Sequence, residues 1–351
     1  MDKVGKIKGG GRLSLVGLGR ELVFWLRNAR YHSFLQSAAP AVLAACWVAG
    51  TPDFDVVLAI LAIVGVFAAH MGANLLDDYF DYRCGAVKAR REMEDGGMRA
   101  RSMKCRYLDD GRTTTRRLLA AGLLFCALAA AAGAIIGLRR GAPILIFAGV
   151  GAFLAFFYSA PPLRLSFRGL GEASVGALFG PTTMLGVAYS ACGRFDAATA
   201  AISVPMGLLV ANILYAHSIL DLEPDLRAGK KTFAALLGTK SRAVAFCGVL
   251  IASIYLSIVV ATASEILPPS TLIVFATLPL AAAYFRAMRL YAVDPERKIE
   301  RRWFYGPMEY WDVYLQKNVD WFMIRWYLSR NLTIAFAFCL LAALAFERCA
   351  G

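Results

Sequence analysis

The sequence predicts an all-α integral membrane protein: a bundle of about nine transmembrane helices around a central chamber, with an amphipathic interfacial segment added. Three observations carry that prediction. Of the 351 residues, 58% are hydrophobic and only 18% charged, against roughly 45–50% and 25% in ordinary soluble domains. The excess falls in runs of roughly 17–25 residues, the length that spans a bilayer as a helix. The cations are segregated, 34 of the 38 Lys and Arg lying in alternate loops, which is the bias that orients membrane proteins. The same figures exclude a disordered chain, a disulfide-stapled secreted domain and a simple soluble enzyme.

The elements follow in order. Residues 1–33 are basic and poorly hydrophobic, without the apolar stretch and cleavage site of a signal peptide. Eight spans make a bundle over 34–290, at 34–50, 54–82, 116–138, 142–159, 170–191, 195–222, 241–263 and 268–290. Pro161-Pro162 stops the fourth, and Gly169 and Gly171 let the chain turn into the fifth. The ninth span, 331–347, lies within a C-terminal part, 331–351. Only Arg139, Arg140, Arg194 and Arg348 fall outside the cation-rich loops. The N-terminus is therefore expected in the cytoplasm of a cell-membrane protein, with the C-terminus outside. The net charge of +13 is thus a topology signal, and no nucleic acid is expected as a partner. None of the eight cysteines forms a CxxC pair and most sit in apolar runs, as small hydrophobes do.

Two loops stand apart. Residues 83–115, which include Gly96-Gly97, are strongly charged, and the sequence assigns them no structure. In 291–330 aromatic rings crowd positions 303–327, and Trp311, Leu315, Val319, Phe322 and Trp326 recur at helical spacing. That pattern predicts an interfacial amphipathic helix; a lid over an entrance for lipid substrates is the alternative.

Ionisable residues within spans are costly and usually functional. The second span closes on Asn74-Leu75-Leu76-Asp77-Asp78-Tyr79-Phe80-Asp81-Tyr82, and the sixth on Asp221-Leu222-Glu223-Pro224-Asp225. Both clusters end helices on the expected cytoplasmic side, where the helix dipole disfavours carboxylates, so a solvated cap explains them poorly. Asn74, Asp78 and Asp81 share a helix face, with Asp77 beside them. His217, Asp221 and Asp225 are four apart, although Pro224 ends or kinks that helix. Facing carboxylates repel strongly at low dielectric. Two remedies are open: a divalent cation such as Mg²⁺, which takes hard oxygen ligands and bridges to phosphates, or ion pairs with nearby Arg and Lys. Arg83, Arg227, Lys230 and Lys231 follow the clusters, either as ordinary loop cations or to grip a diphosphate. Glu172 enters the fifth span and should face the bundle interior. Tyr158 lies at the depth of the acids, either to stabilise a cation with its ring face or as an interfacial anchor. The clusters stand four spans apart, which suggests a four-helix unit used twice.

Three segments carry a resemblance. Asp77 to Tyr82 reads Asp-Asp-Tyr-Phe-Asp-Tyr. Tyr158 to Pro162 reads Tyr-Ser-Ala-Pro-Pro, followed by Arg-Gly-Leu-Gly-Glu at Arg168 to Glu172 and by Phe179-Gly180-Pro181. Asp221, Asp225, Gly229, Lys230 and Thr232, with Phe233, complete a second acidic motif. Together, over roughly residues 30–290, these resemble the UbiA family of intramembrane aromatic prenyltransferases, and most closely its dihydroxynaphthoate polyprenyltransferase branch. The resemblance implies Mg²⁺-dependent transfer from a polyprenyl diphosphate to an aromatic acceptor, 1,4-dihydroxy-2-naphthoate of menaquinone synthesis. It implies Asp78, Asp81, Asp221 and Asp225 as metal ligands, with Asp77 as a further ligand charge, and Tyr158 beside the carbocation. Lys230, Arg168 and Arg227 would bind the diphosphate, and Asn74, Tyr82, His217 and Glu172 the substrates. The chain departs from the branch where Asp77 replaces Asn, where Val87 follows Gly85-Ala86 instead of Asp, and where His217-Ser218-Ile219-Leu220 replaces Asn-Asn-x-Arg. The alternatives are another acceptor (hydroxybenzoate, a haem precursor or another naphthoate), a non-enzymatic membrane partner, or an ion-coupled transporter. A transporter would more typically carry its acids at the midplane on broken helices.

Overall fold

The computed structural model describes residues 15–95 and 104–350; Gly96-Gly97 and the first fourteen residues lie outside them. The helices are α1 (Leu15–Asn28), α2 (Leu35–Val48), α3 (Val56–Arg83), α4 (Ala86–Asp95), α5 (Arg106–Asp109), α6 (Thr115–Arg140), α7 (Pro143–Phe157) and α8 (Gly171–Ala177). There follow α9 (Thr183–Cys192), α10 (Ala197–Leu220), α11 (Leu222–Arg227), α12 (Phe233–Leu236), α13 (Lys240–Ala263), α14 (Leu278–Val293), α15 (Trp311–Gln316) and α16 (Asp320–Ala350). No strand occurs among the described residues. Seven helical units are long and apolar enough to cross a membrane: α3, α6, α8 with α9, α10, α13, α14 with its preceding 3-10 turns, and α16. The two remaining expected spans are the shorter apolar helices α2 and α7, of 14 and 15 residues, which cover about 21–23 Å at 1.5 Å per residue.

Lipid is as apolar as leucine, so membrane helices associate by close packing at small residues. Along α3 and α6 this happens at Gly72, where an added Cβ would meet Cys126 Sγ at 2.6 Å, and at Gly122, against Leu76. A π-turn at Leu178–Thr182 joins α8 to α9 and brings Gly180 against α10, where a Cβ would lie 2.6 Å from Gly207 Cα. The ends of the long helices are capped in turn. Asp55, Thr114, Asp196 and Thr239 accept backbone N–H bonds at the starts of α3, α6, α10 and α13. Two of the four cations outside the basic loops also have a capping task. Arg140 donates to Ser190 O (3.0 Å) and Ala191 O (2.6 Å), and Arg348 to Cys46 O (2.8 Å), satisfying carbonyls left over at helix C-termini.

Three departures from the sequence reading stand out. Residues 15–28, within the basic leading segment, form a helix whose Phe24, Trp25 and Leu26 pack against a second core holding Met71, Leu75, Cys105, Tyr107 and Phe125. The charged 83–115 stretch carries α4 and α5. The 303–327 rings do not share one helical face: α15 stops at Gln316, Asn318 adopts φ +53°, and α16 then runs unbroken through the 330/331 boundary and the whole ninth span. Phe322, Tyr327 and Leu328 are buried in the bundle instead of lying in the interface. The reason lies in Arg330, buried over the Trp326 and Tyr327 rings and paired with Glu309 at 2.8 Å, while Asn331 donates to Tyr305 O (2.7 Å) and Pro307 O (3.0 Å). These contacts lash the 303–316 stretch to the last helix.

Candidate functional site

The C-terminal turns of α3 and α10 meet at one end of the bundle. Between them lies a chamber of about 140 Å³ lined by Asp77 and Asp81 from α3, His217, Ser218, Asp221 and Asp225 from α10–α11, Glu172 from the start of α8, and Tyr158 and Lys230 from the flanking loops. Asp78, Asp81, Asp221 and Asp225 are buried. The α7–α8 loop reaches the site because its backbone folds back on itself, with Ser166 N–H donating to Tyr158 O at 2.9 Å. Gly171 sits where a Cβ would press on Ser166 Cα at 3.1 Å, so the loop lies tight against the turn that carries Tyr158.

The carboxylates are ion-paired within the protein. Arg30 donates to Asp77 (3.1 Å) and to Asp78. Lys104 donates to Asp77 (2.8 Å) and Asp81 (2.6 Å). Tyr107 Oη donates to Asp78 Oδ2 at 2.9 Å, and Ser159 Oγ donates to Asp77. In the second cluster Arg90 spans both carboxylates, 3.3 Å from Asp221 and in contact with Asp225. Burial works against the charge of Lys104 and Arg90, but the facing carboxylates win and raise both pKa values. Burial pushes the Asp225 carboxyl up, with Arg90 and Lys230 opposing.

Of the two remedies for carboxylate repulsion, the structure displays ion pairing, and among the described residues no three His, Cys, Asp or Glu side chains converge as a ready metal cage. The residues nevertheless fit a hard cation. Asp81 Oδ1 and Asp221 Oδ1, one from each cluster, are buried and accept no hydrogen bond among the described residues. Anionic oxygens at one chamber are the donor set Mg²⁺ takes. Lys104 and Arg90 engage the other oxygen of each carboxylate, Asp81 Oδ2 and Asp221 Oδ2.

The remaining sequence candidates divide. His217 lines the chamber, its ring centroid 5.2 Å from that of Phe322, so the start of α16 backs the chamber wall. Glu172 accepts from Ser218 Oγ at 2.6 Å and from Phe233 N–H at 3.4 Å. Asn74 shares the acidic face but its amide is spent on Ala29 O (2.9 Å), fixing the turn that aims Arg30. Half-buried Tyr82 donates outward to Asp109 (3.1 Å), exposed Arg168 to Pro162 O (3.1 Å), and exposed Arg227 to Glu223 (2.9 Å), all three outside the chamber lining. Sequence reasoning missed Arg30, Arg90, Lys104 and Tyr107. The available signal was charge complementarity, since two cations from the unassigned loop answer five acids.

Comparisons with known proteins bear on the family and the fold. A model of the UbiA prenyltransferase family matches residues 38–311. The chain is 33% identical over 154 residues to the 2-carboxy-1,4-naphthoquinone phytyltransferase of Synechocystis, covering 44% of this chain and half (50%) of that protein. It is 29% identical over 230 residues to the 1,4-dihydroxy-2-naphthoate octaprenyltransferase of Mycobacterium tuberculosis, covering 64% of this chain and 74% of the relative. Among solved structures, a UbiA homologue from Archaeoglobus fulgidus bound to GPP and Mg²⁺ has a similar fold, with TM-score 0.56 and 18% identity over 91% of this chain and 99% of that one. A digeranylgeranylglyceryl phosphate synthase reaches TM-score 0.61 at 13% identity, over 93% and 99%.

Proposed function

We propose that this chain, which belongs to the UbiA prenyltransferase family, transfers a polyprenyl group from an isoprenyl diphosphate to an aromatic acceptor, 1,4-dihydroxy-2-naphthoate, from the cytoplasmic face of the cell membrane. One observation carries the reading: two acidic clusters, 140 residues apart in sequence (Asp81 and Asp221), line one chamber together with Tyr158 and Lys230. The orientation rests on the segregation of 34 of 38 cations to one set of loops.

Asp81 and Asp221, each with an uncommitted oxygen, would hold Mg²⁺, and Asp77, Asp78 and Asp225 would join them in place of their pairs with Arg30, Lys104 and Arg90. Bound there, Mg²⁺ supplies Lewis-acid stabilisation to the departing diphosphate. Lys230, with Lys104 and Arg90 beside it at the chamber, would hold the diphosphate by charge-assisted hydrogen bonds, while Arg168 and Arg227 stand outside as approach charges. Tyr158 turns its ring toward the allylic carbon as positive charge develops. His217 and Glu172 border the acceptor, and Asn74 and Tyr82 serve indirectly, by aiming Arg30 and by tethering the α5 segment. The buried walls exclude water, which would otherwise capture the allylic cation.

The ion pairs also favour one second reading, a membrane partner without catalysis whose acids are permanently neutralised. Purified protein in lipid, given Mg²⁺, a long-chain allylic diphosphate and in parallel dihydroxynaphthoate or hydroxybenzoate, separates the two. A prenylated naphthol supports the transferase with its named acceptor. Product from hydroxybenzoate alone keeps the chemistry and replaces the acceptor, and no product with no diphosphate binding favours the silent partner.

A further inference from the structure

The break between α10 and α11 falls on Asp221, and Pro224 leaves a carbonyl free there. In a continuous helix Leu220 O would accept from the N–H of residue 224, but that residue is proline and has none. The hydroxyl of Tyr291, in the last turn of α14, stands in its place and donates to Leu220 O at 2.9 Å. Both residues are buried. Asp221 N–H still closes the last helical bond, to His217 O at 2.8 Å, and Asp225 N–H donates in turn to Asp221 O at 2.8 Å. The turn that Tyr291 holds therefore sets the direction of both carboxylates.

Tyr291 is itself held from α16. The Trp321 ring stacks on it, with centroids 5.9 Å apart and planes 11° from parallel. The fully buried Arg325 guanidinium lies 5.1 Å from the Tyr291 ring centre and ties the two helices, donating to Ala287 O (3.0 Å) and to Trp321 O. Lys240, at the start of α13, places its ammonium 5.1 Å from the same ring, so two cations fix it by cation–π attraction. Phe322, next to Trp321, meets His217 one turn before Asp221. We propose that Tyr291 is a positioning residue for the second acidic cluster, fixing Asp221 and Asp225 for the cation through Leu220 O, and that α16 sets Tyr291 through Trp321. The proposal rests on the transferase reading above and adds a group that acts on the site from outside the chamber.

The test compares parent, Tyr291→Phe and Tyr255→Phe proteins in nanodiscs. Tyr255 is the control because its hydroxyl is also buried and bonded, to Thr277 Oγ1 at 2.7 Å, so a loss of stability alone moves both variants together. Two quantities are read: the Mg²⁺ concentration that half-saturates geranyl diphosphate binding and, without metal, hydrogen exchange of the amides in 221–230. Tyr291→Phe should raise the Mg²⁺ requirement about fivefold, the scale of one hydrogen bond, and speed exchange at Asp225; Tyr255→Phe should do neither. Trp321→Leu, which keeps the hydroxyl but removes the stacked ring, should shift both readings the same way by a smaller factor. An unchanged Mg²⁺ requirement in Tyr291→Phe, or an equal rise in Tyr255→Phe, would overturn the proposal. If the shift appears while the parent protein forms no prenylated product, the positioning role stands and the transferase reading falls. Diphosphate binding indifferent to Mg²⁺ in the parent protein overturns both.

Discussion

The two acidic clusters end equivalent helices at the same end of the bundle, yet they are braced to different degrees. On α3, Asp77, Asp78 and Asp81 share two cations, Arg30 and Lys104, and receive further hydrogen bonds from Tyr107 and Ser159. On α10 and α11, Asp221 and Asp225 share one ion-pairing cation among the described residues, Arg90. Three carboxylates within two helical turns repel more than two on either side of a helix break, so the first cluster needs more neutralisation to fold. The α10–α11 cluster is thus held by fewer cations than the α3 cluster.

The largest expected effect tests whether the halves are one site. Asp81→Ala and Asp225→Ala should each lower prenyl transfer by ~10³-fold or more, on the scale of removing a group that stabilises transition-state charge, while circular dichroism keeps the helical signal. Turnover surviving in one variant only would split the halves. Lys104→Ala should destabilise the protein by roughly 2–3 kcal/mol in detergent unfolding, less than the about 3–5 kcal/mol of a fully buried pair because the Lys104 side chain keeps 26% exposure. Mg²⁺ should recover much of that loss, and a destabilisation that ignores Mg²⁺ would break the claim that lysine and metal compete. Tyr107→Phe removes one donor from buried Asp78 and should cost about 1–2 kcal/mol. The smallest effect is expected at Arg227→Ala, where an exposed pair with Glu223 is worth at most about 0.5 kcal/mol. A large loss of turnover there would move the diphosphate toward α11.

The sequence made the spans and the acids legible for the same reason: both repeat with the helix. Val56–Arg83 and Ala197–Leu220 declare themselves by apolar length, and Asn74, Asp78 and Asp81 by their shared face. The groups that answer the acids obey no such period. Arg30 is aimed by a left-handed turn (φ +61°) and a hydrogen bond from Asn74, and Arg90 and Lys104 arrive from a loop whose composition reads as solvated charge. Trp311 and Phe322 looked like one amphipathic face because Asn318, which breaks the helix between them, leaves no mark in a hydropathy pattern. Arg330 likewise reads as a loop cation until the rings beneath it and Glu309 are seen in space.

If both clusters grip one diphosphate through Mg²⁺, binding of geranyl diphosphate to the purified, lipid-reconstituted protein must respond as EDTA and then excess Mg²⁺ are added. Binding should be abolished by EDTA and restored by Mg²⁺ in the parent protein, and lost in both Asp81→Ala and Asp225→Ala. Metal-independent binding, or binding that survives either substitution, would contradict it.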